Sequence, residues 1–411
     1  MEFSQMSLIR LSNTVTFIEN GETVNMFWVF AGLLFVWMIL LMDFLIGMRN
    51  IPKLEQTHPS QTTELISVII AAKDEEDSIH ETIHTLTKQE GVMFEVIAVN
   101  DRSTDRTGAL IDEASALYPD VQAVHIRHLP EGWLGKNHAL KKGAELATGA
   151  YLLFTDADIQ FEEQTLARAI TFMKAEELDH LTAAPDLKAR SFALRGLISY
   201  FLFGFGYLKR PWTANQKKPK GGMGIGAFQM MTQSCYQKIG THEVVRFRPD
   251  DDLAIGQKIK AAGFRQKLVT AKYLLSVEWY PDFKSALKGF EKNAFAGLNY
   301  SIALSLFALF GVLFSQVLPF IFVFIGSPAV QIISAINILL LFCLYGLTTR
   351  SFTNYPWWMV FGLPIFAILF VFMLARALIL TWIRGGIEWR GNRYSIKELK
   401  QFFRNSEEDH R

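Results

Sequence analysis

The chain has 411 residues, and its 41 Lys plus Arg against 40 Asp plus Glu give a formal net charge of +1, which excludes a polybasic nucleic-acid binder. Hydrophobic residues make up 50 %, with 34 Phe and 9 Trp, and mean hydropathy is +0.18 although long stretches are polar, so the apolar residues are concentrated in segments. Cys235 and Cys343 are the only cysteines, which excludes a disulfide framework or a Cys-based zinc site.

Residues 1–26 form an N-terminal segment carrying Glu2, Glu19 and Glu22 against Arg10. Residues 27–48 are long enough to span a hydrocarbon core of about 30 Å, interrupted by Asp43 alone. The stretch starts late and lacks a small-residue cleavage site, so a signal anchor is expected rather than a signal peptide. Arg49 and Lys53 follow it, and the positive-inside rule then puts the next domain in the cytoplasm.

Residues 64–290 read as an α/β domain. Apolar runs at 65–72, 94–99, 121–126 and 151–155 alternate with helical patterns at 78–89, 103–116, 136–147 and 162–174, as a mostly parallel sheet buried on both faces requires. An aromatic stretch at 192–208 is expected to lie as an interfacial helix with its apolar face in the headgroups. Residues 300–383 hold about three further apolar spans, near 300–325, 329–347 and 357–383, with Gly362 and Pro364 inside the last. The tail 384–411 is basic beside the membrane, which argues for a cytoplasmic tail, although one span before the domain and three after it would leave it outside.

Ligands of such sheets lie at the carboxyl ends of the strands. The first strand runs into Lys73-Asp74-Glu75-Glu76, where a helix cap and a ligand site compete as explanations. The second ends in Asn100-Asp101-Arg102-Ser103-Thr104-Asp105; Asp101 is placed to accept hydrogen bonds from a ribose or base, and Ser103 to cap the next helix. The fourth ends in Asp156-Ala157-Asp158. Two carboxylates just past a buried strand call for a cation, and Mg²⁺ or Mn²⁺ shared with a diphosphate meets that need; an exposed acidic turn is the other reading. Gly132-Trp133-Leu134-Gly135-Lys136 precedes a helix and suits a phosphate-bearing ligand, or is a tight turn with a solvated lysine.

These motifs, in this order, resemble the family 2 glycosyltransferases of GT-A (Rossmann-like) fold over about residues 64–300. The resemblance implies that Asp74, Glu75, Asp101, Lys136 and Asp156 bind the nucleotide sugar and that Asp156 and Asp158 hold Mg²⁺ or Mn²⁺. Asn100 departs from the family, which often has Asp there. Asp250-Asp251-Asp252 matches the family's catalytic acidic pair, with Leu253-Ala254-Ile255-Gly256 setting the register; Asp252 is the expected base and Asp251 its neighbour. The Gln-x-x-Arg-Trp motif of processive members is absent from 289–298, so transfer of a single sugar is expected. The stretch 384–394 resembles the tail of bacterial carotenoid-acid (4,4'-diaponeurosporenoate) and hopanoid-associated glycosyltransferases. Trp389, Arg390 and Arg393 there are either an interfacial anchor or contacts to acceptor or donor.

The expected activity is inverting transfer of one sugar, glucose from UDP-glucose first, onto a lipid or isoprenoid acceptor in a bacterial cell membrane. A carotenoid carboxylic acid, a hopanoid, polyprenyl phosphate, ceramide and diacylglycerol are the candidate acceptors. A transporter with a nucleotide-binding domain would need a charged path, whereas Arg376 is the one ionised residue inside the spans 300–325, 329–347 and 357–383. An inactive scaffold would have lost carboxylates that are all present here.

Overall fold

The computed structural model describes residues 23–287, 289–290, 298, 301–384, 386–389 and 392–395. Four strands, β1 (Leu65–Ala72), β2 (Met93–Asp101), β3 (Val121–Ile126) and β4 (Tyr151–Asp156), lie parallel in the order β3-β2-β1-β4. Alternate side chains go to opposite faces. Val68, Ile70, Val96 and Ala98 pack against helices α2 (Ile79–Thr87), α3 (Thr107–Leu117) and, beyond β4, α5 (Thr165–Ala175). Ile69, Leu152 and Phe154 pack on the other face with Leu140 and Ala144 of α4 (Gly135–Leu146). The register aligns Ala72 with Asn100 and Ala71 with Asp156, so the acidic strand ends emerge along one edge.

Past β4 the sheet becomes mixed. Next come a short β5 (Ile159–Phe161), β6 (His180–Ala184), β7 (Asp186–Leu187) and β8 (Gln229–Thr232), then β9 (Gln266–Thr270) and β10 (Leu275–Val277). β8 lies antiparallel between β4 and β6, and β9 closes that side parallel to β6; β5, β10 and β7 make a small second sheet. Antiparallel β8 matters for function, because it returns the chain to the Asp156 edge.

Four helical stretches, Met26–Met48, Ile302–Phe322, Pro328–Phe352 and Trp357–Thr381, are long and apolar enough to cross a membrane. The first lies in α1 (Thr23–Met48). Phe35, Leu339 and Ile379 leave their outer surface exposed and apolar, as lipid contact requires. The aromatic stretch forms α6 (Phe192–Lys209), capped by Ser191, whose side chain accepts from Leu194 N. Its buried face meets the long helices: a Cβ at Gly196 would lie 1.7 Å from Phe366 Cζ, so a larger residue there would have to displace the Phe366 ring. Asp43, the one acid in α1, pairs with Arg210 just past α6 (Nε–Oδ2 2.7 Å), which compensates a carboxylate otherwise costly at that depth.

Candidate active site

The loops after β1 and β2 clasp each other. Asp74 N donates to Ser103 Oγ (3.0 Å) while Thr104 N donates to Asp74 Oδ1 (2.7 Å); Glu75 N donates to Thr107 Oγ1 (2.8 Å), and Glu76 N to Asp105 Oδ2 (3.1 Å). Asp74 therefore has a structural task at the strand ends. Ser103 does not cap α3 as expected: its hydroxyl serves Asp74, and the helix starts later, at Thr107, whose N–H is taken by Asp105 Oδ1 at 2.9 Å. Asp101 is buried and held by a bidentate pair from Arg102, at 2.8 and 3.1 Å. A Cβ on Gly135 would lie 2.0 Å from Asp101 Oδ2, which explains the glycine that opens α4.

Lys136 sits in the first turn of α4 and reaches the end of β4. Its Nζ donates to Asp156 Oδ1 at 2.6 Å and stands 4.0 Å from Asp251 Oδ1. Burial alone would depress this ammonium, but Asp156, Asp251 and Asp252 outweigh it and hold it firmly protonated. The acids show the reverse. Burial pushes Asp158 up to about 7, with Asp156 and Glu75 adding to it. Burial likewise raises Asp251 to about 7, opposed by Lys136 and reinforced by Asp252 and Asp156. Asp252 is raised by burial too, and Lys136 again opposes. One lysine thus faces more negative charge than it can balance.

The acidic triplet opens α7 (Asp251–Ala261). Asp250 takes the cap position yet makes no side-chain cap; it pairs with Arg248 at 2.8 and 3.0 Å. Asp252 turns back to the glycine run: Gly226 N donates to its Oδ2 at 2.8 Å, and Leu253 N to its Oδ1 at 2.7 Å. Gly226 O accepts from Asp156 N at 3.0 Å, so this one residue links both acidic motifs. A Cβ on Gly224 would lie 1.9 Å from Asp252 O, and one on Gly226 2.6 Å from Asp156 Oδ2. The dense glycines are there for close approach.

Two positions escaped sequence reasoning. Gly226 belongs to the run Gly221-Gly222-Met223-Gly224-Ile225-Gly226, which from sequence alone reads equally as a flexible loop or as backbone that approaches a ligand closely. Asn137 was not singled out; its Nδ2 donates to Val245 O (2.7 Å) and Arg248 O (2.9 Å), tying the segment before Asp250 to α4. Its place one residue after Lys136, at the end of a glycine turn, is the signal that could have drawn attention. At the carboxy end, the hairpin of β11 (Gly386–Trp389) and β12 (Asn392–Ser395) pairs Glu388 with Arg393 and Trp389 with Asn392 along the backbone. Arg390 and residues 291–297 lie outside the described residues, as do the side chains of Trp389 and Arg393.

A cavity of about 1370 Å³ opens on Asp156, Asp158, Asp250 and Asp252, and its other walls include Leu33, Trp37 and Leu40 of α1, Tyr200 of α6 and Phe307. It exceeds the roughly 300–1,000 Å³ of common small-molecule sites. Carboxylates and apolar helices share one space.

Residues 67–240 match the sequence profile of Glycosyl transferase family 2. Over this stretch the chain is similar to the family 2 glycosyltransferases. The 4,4'-diaponeurosporenoate glycosyltransferase of Staphylococcus haemolyticus is 30% identical over 122 residues, 30% of this chain and 32% of that protein. The uncharacterized glycosyltransferase YibD of Escherichia coli is 30% identical over 118 residues, 29% of this chain and 33% of the relative. The match therefore spans about a third of the length of these curated relatives. Among solved structures, the mannosyltransferase PcManGT from Pyrobaculum calidifontis, in complex with GDP-Man and Mn2+, aligns with a TM-score of 0.49 at 15% identity, covering 88% of this chain and 98% of that one.

In the α/β domain the question of a metal turns on donor number. No three His, Cys, Asp or Glu side chains converge on one position among the described residues. Asp156 and Asp158 supply hard oxygen donors of the kind Mg²⁺ or Mn²⁺ takes, and burial first, then the neighbouring Asp156 and Glu75, raises the carboxyl of Asp158. The pair fits a cation whose remaining ligands come from a diphosphate, not a cage built by the protein alone.

Proposed function

We propose that this protein is a membrane-bound inverting glycosyltransferase that moves one sugar, glucose from UDP-glucose in the first instance, onto an acceptor lipid or isoprenoid. The carotenoid carboxylic acid in the names of the staphylococcal relatives is one acceptor class; acyl lipids and polyprenyl phosphate are others. One observation carries the reading: the cavity that holds the carboxylates continues between apolar helices, so an acceptor can keep its tail in lipid while offering its polar head to the site.

In this reading Glu75 and Asp101 hold the nucleoside, and Asp74 contributes mainly by fixing the loop that carries them. Asp156 and Asp158 hold Mg²⁺ or Mn²⁺, which when bound neutralises charge on the departing diphosphate. Lys136, firmly protonated, adds a second positive charge beside it. Asp252 takes the proton from an acceptor hydroxyl on the opposite face of the sugar, and its elevated carboxyl makes it a better base than a solvated aspartate. Gly226 N–H and Leu253 N–H fix the orientation of that carboxylate. A single displacement inverts the anomeric carbon, and no second nucleophile is needed. The catalytic domain works on the cytoplasmic side, where nucleotide sugars are made.

Stereochemistry and metal need are tested together. Purified protein given UDP-α-glucose should form a β-glucoside, lose turnover in excess chelator and recover it with Mn²⁺ or Mg²⁺. Full turnover in chelator would remove the metal from the scheme, and an α-product would remove single displacement.

A further inference from the structure

The catalytic end of the cavity is polar, and its membrane end is not uniformly apolar. Tyr200 and Gln316 are buried there, and Tyr207 half-buried, in a wall that includes Leu33, Phe307 and Phe370. Gln316 stands on a single π turn, Leu313–Val317, interrupting the helix that begins at Ile302. Such turns re-aim side chains and recur at functional sites. Tyr200 Oη donates to Gln316 Oε1 at 2.6 Å, and Gln316 Nε2 donates to Tyr207 Oη at 3.3 Å. The direction is forced. With the amide reversed, the buried Tyr200 hydroxyl proton would have no acceptor among the described residues.

Tyr207 thus receives a hydrogen bond and retains its own O–H to donate, with no acceptor for it among the described residues. Trp37 lines the same cavity and meets the Tyr207 ring edge to face at 5.9 Å. Its buried Nε1–H likewise has no acceptor among the described residues. Both spare groups are donors. The cavity residues supplied by α1 and by the helix from Ile302 through the π turn include no Lys or Arg; the cations of the lining, Lys209, Lys220, Arg248 and Lys258, stand on other segments.

We propose that the membrane end of the cavity is a subsite for a carbonyl oxygen on the acceptor lipid, with Tyr207 O–H and Trp37 Nε1–H as donors and Gln316 as the positioning residue that orients Tyr207. A carbonyl offers two lone pairs and brings no proton of its own, which suits a site made only of donors. Within the acceptor classes above, this singles out ester- or amide-bearing acyl lipids over a plain isoprenoid chain. The inference rests on the cavity being the acceptor's site.

The test uses the full chain and two probes of equal chain length, dioleoylglycerol and its dialkyl ether analogue, which lacks the carbonyls. Equimolar probes are offered to the detergent-purified protein, and retained lipid is counted by native mass spectrometry. Wild type should retain the ester about tenfold over the ether, one hydrogen bond's worth of discrimination. Tyr207→Phe removes one donor with little change of volume, Trp37→Phe removes the other together with part of the buried ring system, and each should move that ratio toward one. Asp252→Asn, at the other end of the cavity, should leave it intact. Equal retention in wild type, or a preference that survives the Tyr207→Phe/Trp37→Phe double variant, overturns the subsite. Ester preference without sugar transfer from any nucleotide sugar would instead overturn the glycosyltransferase reading and leave the subsite standing.

Discussion

Asp250, Asp251 and Asp252 are adjacent in sequence and occupy three different environments, so they should fail differently. Asp252→Asn puts an amide where both oxygens now accept backbone N–H groups, so it removes the proposed base and weakens one contact to Gly226 or Leu253. Turnover with a hydroxyl acceptor should fall about 10²–10⁴-fold while donor affinity, measured by equilibrium titration, changes little. A carboxylic acid acceptor arrives already deprotonated, and with it the same variant should lose far less; the two acceptor types therefore separate base catalysis from general damage. Asp250→Asn breaks the pair with Arg248 and should lower the thermal midpoint more than the activity of the folded fraction. Asp251 carries a pH signature. Burial raises its carboxyl to about 7 from an ordinary value of about 3.9, so the folded state binds more protons than the unfolded one between those values. Its stabilising contribution is whole below about pH 4 and is lost as pH rises toward 7. Thermal midpoints at pH 5 and pH 7, without divalent ions, should show wild type losing more stability than Asp251→Asn; equal losses would contradict the assignment. Asp158, raised in the same direction, should leave part of the slope in the variant.

At the scale of elements, what was legible was whatever a strand carries on its own. The runs at 65–72 and 121–126 have the observed bounds; the first is apolar on both faces, as a central parallel strand requires, and the second keeps Val121, Val124 and Ile126 among polar residues at the sheet edge. The acidic residues at the ends of β1, β2 and β4 follow from those strands, and the parallel register brings them to one edge. Strands β6, β8 and β9 were not read from the sequence; β8 is only Gln-Met-Met-Thr and is a strand because two neighbours pair with it. The links from Gly226 to both acidic motifs depend on that strand's return, which is why sequence reasoning saw only a glycine-rich loop. The aromatic stretch at 192–208 was legible as a helix, while its packing against Phe366 required the later helices. Two variants probe these links. Gly224→Ala meets the Asp252 carbonyl at 1.9 Å and should displace the loop, lowering both melting temperature and turnover. Asn137→Ala leaves Val245 O and Arg248 O without their donor, a loss of about 1–3 kcal/mol in stability, read by chemical or thermal denaturation.

For the molecule as a whole, the α/β domain and the long helices share one cavity, and that arrangement gives a topological expectation. Lys88 and Lys174 are exposed on the α/β domain, so Cys in their places should resist an impermeant thiol reagent in intact cells and react after permeabilisation. Labelling in intact cells would put the domain on the wrong side for a nucleotide sugar. Lys174 pairs with Glu64 at the surface (3.0 Å), and loss of such an exposed pair costs little, so the substitution leaves the fold intact. Asp43 and Arg210 join α1 to the end of α6, and Arg210→Ala should detach this brace, lowering stability in detergent with a smaller effect on donor affinity. The central claim is that sugar moves from a nucleotide onto a lipid at the carboxylates that open this cavity. Its most direct measurement is incubation of membranes holding the protein with labelled nucleotide sugars in turn, followed by solvent extraction and mass analysis of the lipids. One donor, UDP-glucose first, should place a single hexose on an extracted lipid, and Asp158→Asn membranes should give none; label that stays in the aqueous phase with every donor, or a hexosyl lipid formed equally by Asp158→Asn, would contradict the account.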